Sequence, residues 1–125
     1  MRRKILVIDD EELLVKTFAR LLTKINYDVS VAVRPTDAIQ MAQNEDFDLV
    51  LCDIRMPEKN GVQTIQEIRS CQKTKGKKES PVIFLTGFAD PRLESEAQTL
   101  RPVAYLYKPF DTSKLLDAIE LALKA

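Results

Sequence analysis

Five residues stand where chemistry is plausible, each directly after a short apolar run. Asp9 and Asp10 follow residues 4–8, and Asp53 follows 49–52. Thr86 follows residues 82–85, and Lys108 follows 103–107. Carboxylates gathered in one cleft repel one another and raise each other's pKa. A hard divalent cation relieves that repulsion. Mg²⁺ takes oxygen ligands and keeps several waters, so a few carboxylates suffice. A carboxylate left free of tight ligation can attack phosphorus and form an acyl phosphate. The cation and Lys108 would then neutralise charge on the transferring oxygens, and Thr86 could donate a hydrogen bond to one of them.

These residues reach one place only if the runs before them are strands of one parallel sheet. A fifth run, 29–33, completes the set; all are short and rich in Val, Ile and Leu. Near-continuous apolar runs suit strands covered on both faces. Between them lie helical spacings. Leu14, Phe18, Leu21 and Ile25 predict a first helix, and Ala38, Ile39 and Ala42 a second. Val62, Ile65 and Ile68 predict a third, Leu93, Ala97 and Leu100 a fourth, Leu115, Ile119 and Ala122 a fifth. Asn60-Gly61, Asp90-Pro91 and Asp111 are helix-start signals. The alternation predicts an α/β fold, a parallel sheet with helices on both faces and right-handed crossovers. In such sheets ligands bind beyond the carboxyl ends of the strands, where the five residues stand. The link 71–80, holding Lys73, Lys75, Lys77 and Lys78, is expected to be unusually long and basic.

The chain has 125 residues, the size of one domain, so residues 1–125 are expected to form a single unit. Lys+Arg and Asp+Glu are both 19, which lacks the basic excess usual in nucleic-acid binders. Histidine is absent, which removes imidazole catalysis and imidazole metal sites. Cys52 and Cys71 have no metal-ligand spacing and make no disulfide framework; Cys52, inside an apolar run, is expected as a buried thiol. The apolar run after the basic N-terminus is too short for a signal peptide. No run is long enough to span a membrane, so a cytoplasmic location is expected.

Several motifs in order resemble the receiver domain of two-component response regulators. They are the pair Asp9-Asp10, the run from Leu49 through Asp53 to Pro57, Gly61, Thr86-Gly87, Tyr105 and Lys108-Pro109-Phe110. The resemblance covers the chain from about residue 3 to residue 123. It implies a doubly wound (βα)5 three-layer sandwich of flavodoxin-like strand order 2-1-3-4-5. It implies Asp53 as phosphoacceptor, with Mg²⁺ held by Asp9, Asp10, Asp53 and the backbone carbonyl of Arg55. Lys108 and Thr86 would contact the phosphoryl group, a cis peptide would precede Pro109, and Thr86 and Tyr105 would be the switch pair. Implied partners are a sensor histidine kinase or phosphotransfer protein, a downstream protein target or effector domain, and a second copy in a homodimer. No direct nucleic-acid or membrane binding is implied, no effector domain within this chain, and no turnover of a separate substrate.

Three features depart from the common pattern or flank the site: Pro102 before the fifth run, the extended link 71–80, and the pair Arg55 and Phe88. The bulk of Phe88 is expected to hinder water and prolong an Asp53 phosphate. Plainer readings stand beside these: Asp9-Asp10 as a helix cap, Thr86 as a strand end, Tyr105 and Phe110 as packing, the lysines 73–78 as a solvated loop. Two other functions fit the same residues: a receiver-like module never phosphorylated in use, and a small Mg²⁺-dependent phosphatase or phosphotransferase.

Overall fold

The computed structural model describes residues 2–124. Five strands alternate with five helices: β1 (Lys4–Ile8), α1 (Glu12–Lys24), β2 (Asp28–Ala32), α2 (Pro35–Asn44), β3 (Leu49–Asp53), α3 (Gly61–Thr74), β4 (Val82–Thr86), α4 (Pro91–Gln98), β5 (Ala104–Tyr107) and α5 (Thr112–Lys124). The sheet is parallel throughout, in the order β2-β1-β3-β4-β5. This is the doubly wound α/β architecture and strand order expected. No helix among the described residues is long and apolar enough to cross a membrane.

The central strands are apolar on both faces because both are covered, and alternate residues feed two separate cores. Leu6, Ile8, Val50, Cys52, Val82 and Phe84 pack with Ala38, Ala42, Val62, Ile65, Ile68 and Ala97 of α2, α3 and α4. Ile5, Val7, Leu49, Leu51, Ile83 and Leu85 pack with Val15, Phe18, Leu22, Leu115 and Ile119 of α1 and α5. Phe110 joins the second core by stacking on Phe18, centroids 5.7 Å apart.

Chain order decides where a cleft can open. From β1 the chain runs outward to β2, then crosses back to β3 on the other side of β1. The connections after β1 and β3 therefore leave on opposite faces and part at their carboxyl ends. Asp9 and Asp53 stand at that parting.

Two sequence expectations need correction. In α1 the buried stripe is Val15, Phe18 and Leu22. Leu14 and Leu21 lie at its margin, half-buried, and Ile25 is the C-cap, 44% exposed. The helix ends at Lys24, so a stripe extended to residue 25 overshoots it and its axis is rotated by one position. The link 71–80 is also shorter than expected, because α3 runs through Thr74. Gln72 is buried there, donating through Nε2 to Ser80 Oγ at 2.8 Å and accepting from Ser80 N at 3.1 Å. Gly76, at φ +70°, turns the chain out of the helix. Two of the lysines are tied down: Lys77 pairs with Asp46 at 2.8 Å, and Lys75 donates to the backbone carbonyl of Gln43.

Caps set two helix starts beside the cleft. Asn60 opens α3 with a capping box shared with Gln63. Asp90 opens α4 by accepting from Leu93 N at 3.1 Å.

Candidate functional site

The carboxyl end of the sheet brings together the residues singled out from sequence. Asp9 is fully buried, Asp53 is 5% exposed and Asp10 is open to solvent. Carboxylate oxygens of all three lie within 4.8 Å of one another. An all-oxygen set of this charge fits a hard divalent cation, and one exposed member gives such an ion a way in.

The internal counter-charge is Lys108. Its Nζ donates to Asp9 Oδ2 at 2.9 Å and stands 3.7 Å from Asp53 Oδ2. It also donates to Glu11 Oε1 at 3.3 Å. Burial pushes the Lys108 ammonium down, but its bond to Asp9 and the nearby acidic charges outweigh this, so its pKa is raised. Lys108 thus stays cationic where it is needed.

Asp53 is held differently. Its Oδ1 accepts from Arg55 N at a long 3.4 Å. Burial, reinforced by the charge of Asp9, pushes Asp53 up to about 7, against the opposing pull of Lys108 and the Arg55 amide. A bound dication would reverse that balance and favour the ionised carboxylate.

The loop after β3 is folded back tightly onto Asp53. Gly61 N donates to Ile54 O at 2.8 Å. A Cβ on residue 61 would lie 2.2 Å from the backbone oxygen of Asp53. Only glycine permits this approach.

Thr86 is buried at the end of β4. Its hydroxyl donates to Phe88 O at 3.0 Å and accepts from Phe88 N at 3.2 Å. It is therefore committed to its own loop rather than to Asp53. The Phe88 ring is 60% exposed, and the Arg55 guanidinium stacks over it at 4.5 Å. The two side chains flanking the site thus form one unit.

Tyr105 lies on β5 with its ring between Phe84 and Tyr107, centroids at 6.2 Å and 5.5 Å. Its hydroxyl is buried and has no hydrogen-bond partner among the described residues. Burial, then the charge of Glu94, pushes this phenol up to about 12. The Lys108-Pro109 peptide is cis.

Two members of the site carry little or no signal in the sequence. Glu11 is the third acidic residue after β1, and that clustering was its only signal. Tyr107 follows Tyr105 at a strand's two-residue period, and its bond to Glu94 has no sequence signature at all.

Comparison with known proteins matches this geometry. The family described as "Response regulator receiver domain" matches residues 5–120. The transcriptional regulatory protein PdtaR of Mycobacterium tuberculosis is 35% identical over 121 residues, which cover 96% of this chain and 56% of PdtaR. The chain thus spans about half the length of that curated relative. Among solved structures, the N-terminal domain of a response regulator/sensory box/GGDEF 3-domain protein from Carboxydothermus hydrogenoformans superposes with a TM-score of 0.84 at 30% identity. That match covers 98% of this chain and 94% of the other. A Burkholderia pseudomallei response regulator, with a phosphorylated aspartic acid and a calcium ion, gives 0.80 at 25% identity over 98% of this chain and 72% of its own. A family match across nearly the whole chain, with an acidic cluster at the carboxyl ends of β1 and β3, leaves one conclusion: the chain belongs to the response regulator receiver domain family.

Proposed function

We propose that residues 1–125 act as a single receiver unit that accepts a phosphoryl group on Asp53 from a phosphohistidine. The observation that carries this reading is the arrangement of Lys108: one ammonium lies 2.9 Å from Asp9 and 3.7 Å from Asp53. In this reading the phosphoryl oxygens sit against that ammonium. An Asp53 carboxylate oxygen attacks phosphorus, the N–P bond of the donor breaks, and the donor leaves as imidazole after taking a proton from solvent. Lys108 neutralises charge gathering on the oxygens. Mg²⁺, held by Asp9, Asp10, Asp53 and the Arg55 backbone carbonyl, would supply further charge neutralisation. The phosphorylated aspartic acid in the Burkholderia pseudomallei relative supports the same role here.

Thr86 and Tyr105 are the switch pair in this reading. A new anion on Asp53 competes with the Phe88 backbone for the Thr86 hydroxyl. Movement of Thr86 frees space beside β5 and lets the Tyr105 ring shift, which changes the surface formed by α4, β5 and α5. Partners would be a sensor histidine kinase or phosphotransfer protein upstream and a protein target or effector domain downstream. A second copy is a further candidate at the same surface. The unit acts on its own Asp53 rather than turning over a separate substrate, and works in the cytoplasm. Kinship with PdtaR, a transcriptional regulatory protein, supports a role within a larger regulator.

The test is intact mass after incubation with Mg²⁺ and acetyl phosphate or phosphoramidate. One added phosphoryl group, absent in Asp53→Ala and after chelation, is the expected result. No adduct with either donor, together with no beryllofluoride binding, would overturn the reading in favour of a module never phosphorylated.

A further inference from the structure

Residues two apart on a strand point to the same side, so Tyr105 and Tyr107 both face the α4 side of β5. Their rings meet edge to face at 5.5 Å and 65°. Their hydroxyls fare differently. Tyr107, 45% exposed, donates to the Glu94 carboxylate on α4. The Tyr105 hydroxyl is buried and has no partner among the described residues. Leaving a buried hydroxyl unpaired costs free energy that any arrangement supplying an acceptor would recover.

Glu94, which accepts from the neighbouring Tyr107, is the candidate acceptor. Among the charges acting on the Tyr105 phenol, that of Glu94 acts most strongly. The helix carrying Glu94 is lightly held. Among the described residues, Ala97 is the buried residue of α4. Arg69 ties the chain just past its end, donating to Leu100 O. A cleft of about 310 Å³ lined by Glu94, Gln98 and Tyr107 lies alongside, leaving room for a side chain to turn.

We propose that Tyr105 and Tyr107 compete for the position of the Glu94 carboxylate, whose several lone pairs do not limit it to one donor, so that Tyr107, by holding that carboxylate at the surface, is the positioning residue that keeps Tyr105 unpaired. The exchange trades one O–H···O bond for another and moves no proton between groups. It also has a route to the phosphoryl site, because Tyr107 is the register partner of Thr86 across β4 and β5. Displacement of Thr86 would disturb Tyr107 directly, release Glu94 and let Tyr105 take it. The competition stands on the two rings and Glu94 alone; only its coupling to Asp53 rests on the function proposed above.

The test uses protein labelled with 3-fluorotyrosine at Tyr27, Tyr105 and Tyr107, observed by ¹⁹F NMR at mildly acidic pH, where the phenols stay protonated. The Tyr105 resonance is assigned with Tyr105→Phe. Tyr107→Phe keeps the ring and removes the hydroxyl, so the expected shift of the Tyr105 resonance reports the freed acceptor. In a Glu94→Ala background, Tyr107→Phe should leave Tyr105 where it was. An unmoved Tyr105 in Tyr107→Phe, or an equal shift without Glu94, would overturn the proposal. Beryllofluoride with Mg²⁺ separates the two readings. Wild type should show Tyr105 moved toward its position in Tyr107→Phe, and Tyr107→Phe, already shifted, should move little further. A Tyr105 that moves on beryllofluoride as far in Tyr107→Phe as in wild type would overturn the coupling. A wild type that never responds, beside a Tyr105 still moved by Tyr107→Phe, would uphold the shared acceptor and overturn the phosphoacceptor reading instead.

Discussion

Gly61 presses its bare α-carbon against the backbone of Asp53, so closely that a Cβ there would sit 2.2 Å from the Asp53 carbonyl oxygen. The obstacle is backbone, not the end of a flexible side chain. Gly61→Ala must therefore displace either the start of α3 or the end of β3. Overpacking of this kind costs ~1–3 kcal/mol. Denaturant unfolding should show a loss in that range, and phosphorylation of the remaining folded protein should slow. Wild-type stability in Gly61→Ala would show that the loop gives way freely.

Asp10 is exposed, whereas Asp9 and Asp53 are buried. Asp10→Ala should therefore fold as well as wild type yet bind a dication poorly. A ligand present at ten times its Kd adds about 1.4 kcal/mol to stability. Wild type should gain a rise in Tm on adding Mg²⁺, cancelled by chelator, and Asp10→Ala should gain little at the same concentration. Equal gains in both would remove Asp10 from the metal site.

Tyr105 gives a stability effect with a defined sign in pH. Its phenol is raised from 10.0 to about 12 by burial and by Glu94. The unfolded chain therefore ionises first. The contribution of this group is complete below pH 10 and is lost as pH rises toward 12. Tyr105→Phe should flatten that part of the stability profile relative to wild type. Below the window it should raise stability by about 1 kcal/mol, since it removes an unpaired buried hydroxyl. Parallel profiles for the two proteins would refute the assignment.

Arg55, two residues past Asp53, stacks on Phe88, two residues past Thr86. In-line attack by water on an Asp53 phosphate would have to pass them. Phe88→Ala should shorten the lifetime of the phosphorylated protein severalfold in a mass-spectrometric decay assay. Arg55→Ala should act in the same direction, because the ring loses the cation that holds it. Decay in Phe88→Ala no faster than in wild type would count against the shield.

Lys108 lies closer to Asp9 than to Asp53, at 2.9 Å against 3.7 Å. Lys108→Met should leave the buried Asp9 carboxylate without its cation and should lower the phosphorylation rate at least tenfold. Mg²⁺ binding, measured by titration calorimetry, should survive, because the three carboxylates remain. Loss of Mg²⁺ binding together with phosphorylation would mean that Lys108 orders the acidic cluster itself.

Whatever depends on local pattern in this protein could be read from its residues in order. Short continuous Val, Ile and Leu runs suit strands covered on both faces, and their alternation with helical spacings argues for a parallel sheet. Once the sheet is parallel, the residue after each run falls at one edge, so Asp9, Asp53, Thr86 and Lys108 were legible as neighbours. Asn60 and Asp90 declared two helix starts by their capping chemistry. Whatever depends on distances between segments far apart in the chain was settled by packing. The stripe of α1 turned by one position because its neighbours across the core, not its own spacing, set which side faces inward. The link after α3 shortened because Gln72 found Ser80. Lys108 chose Asp9, 99 residues away, as its nearest partner. The Thr86 hydroxyl turned to Phe88, and Glu94 took Tyr107 rather than Tyr105. Each of these is a choice among several chemically adequate partners, and only their arrangement in space separates them.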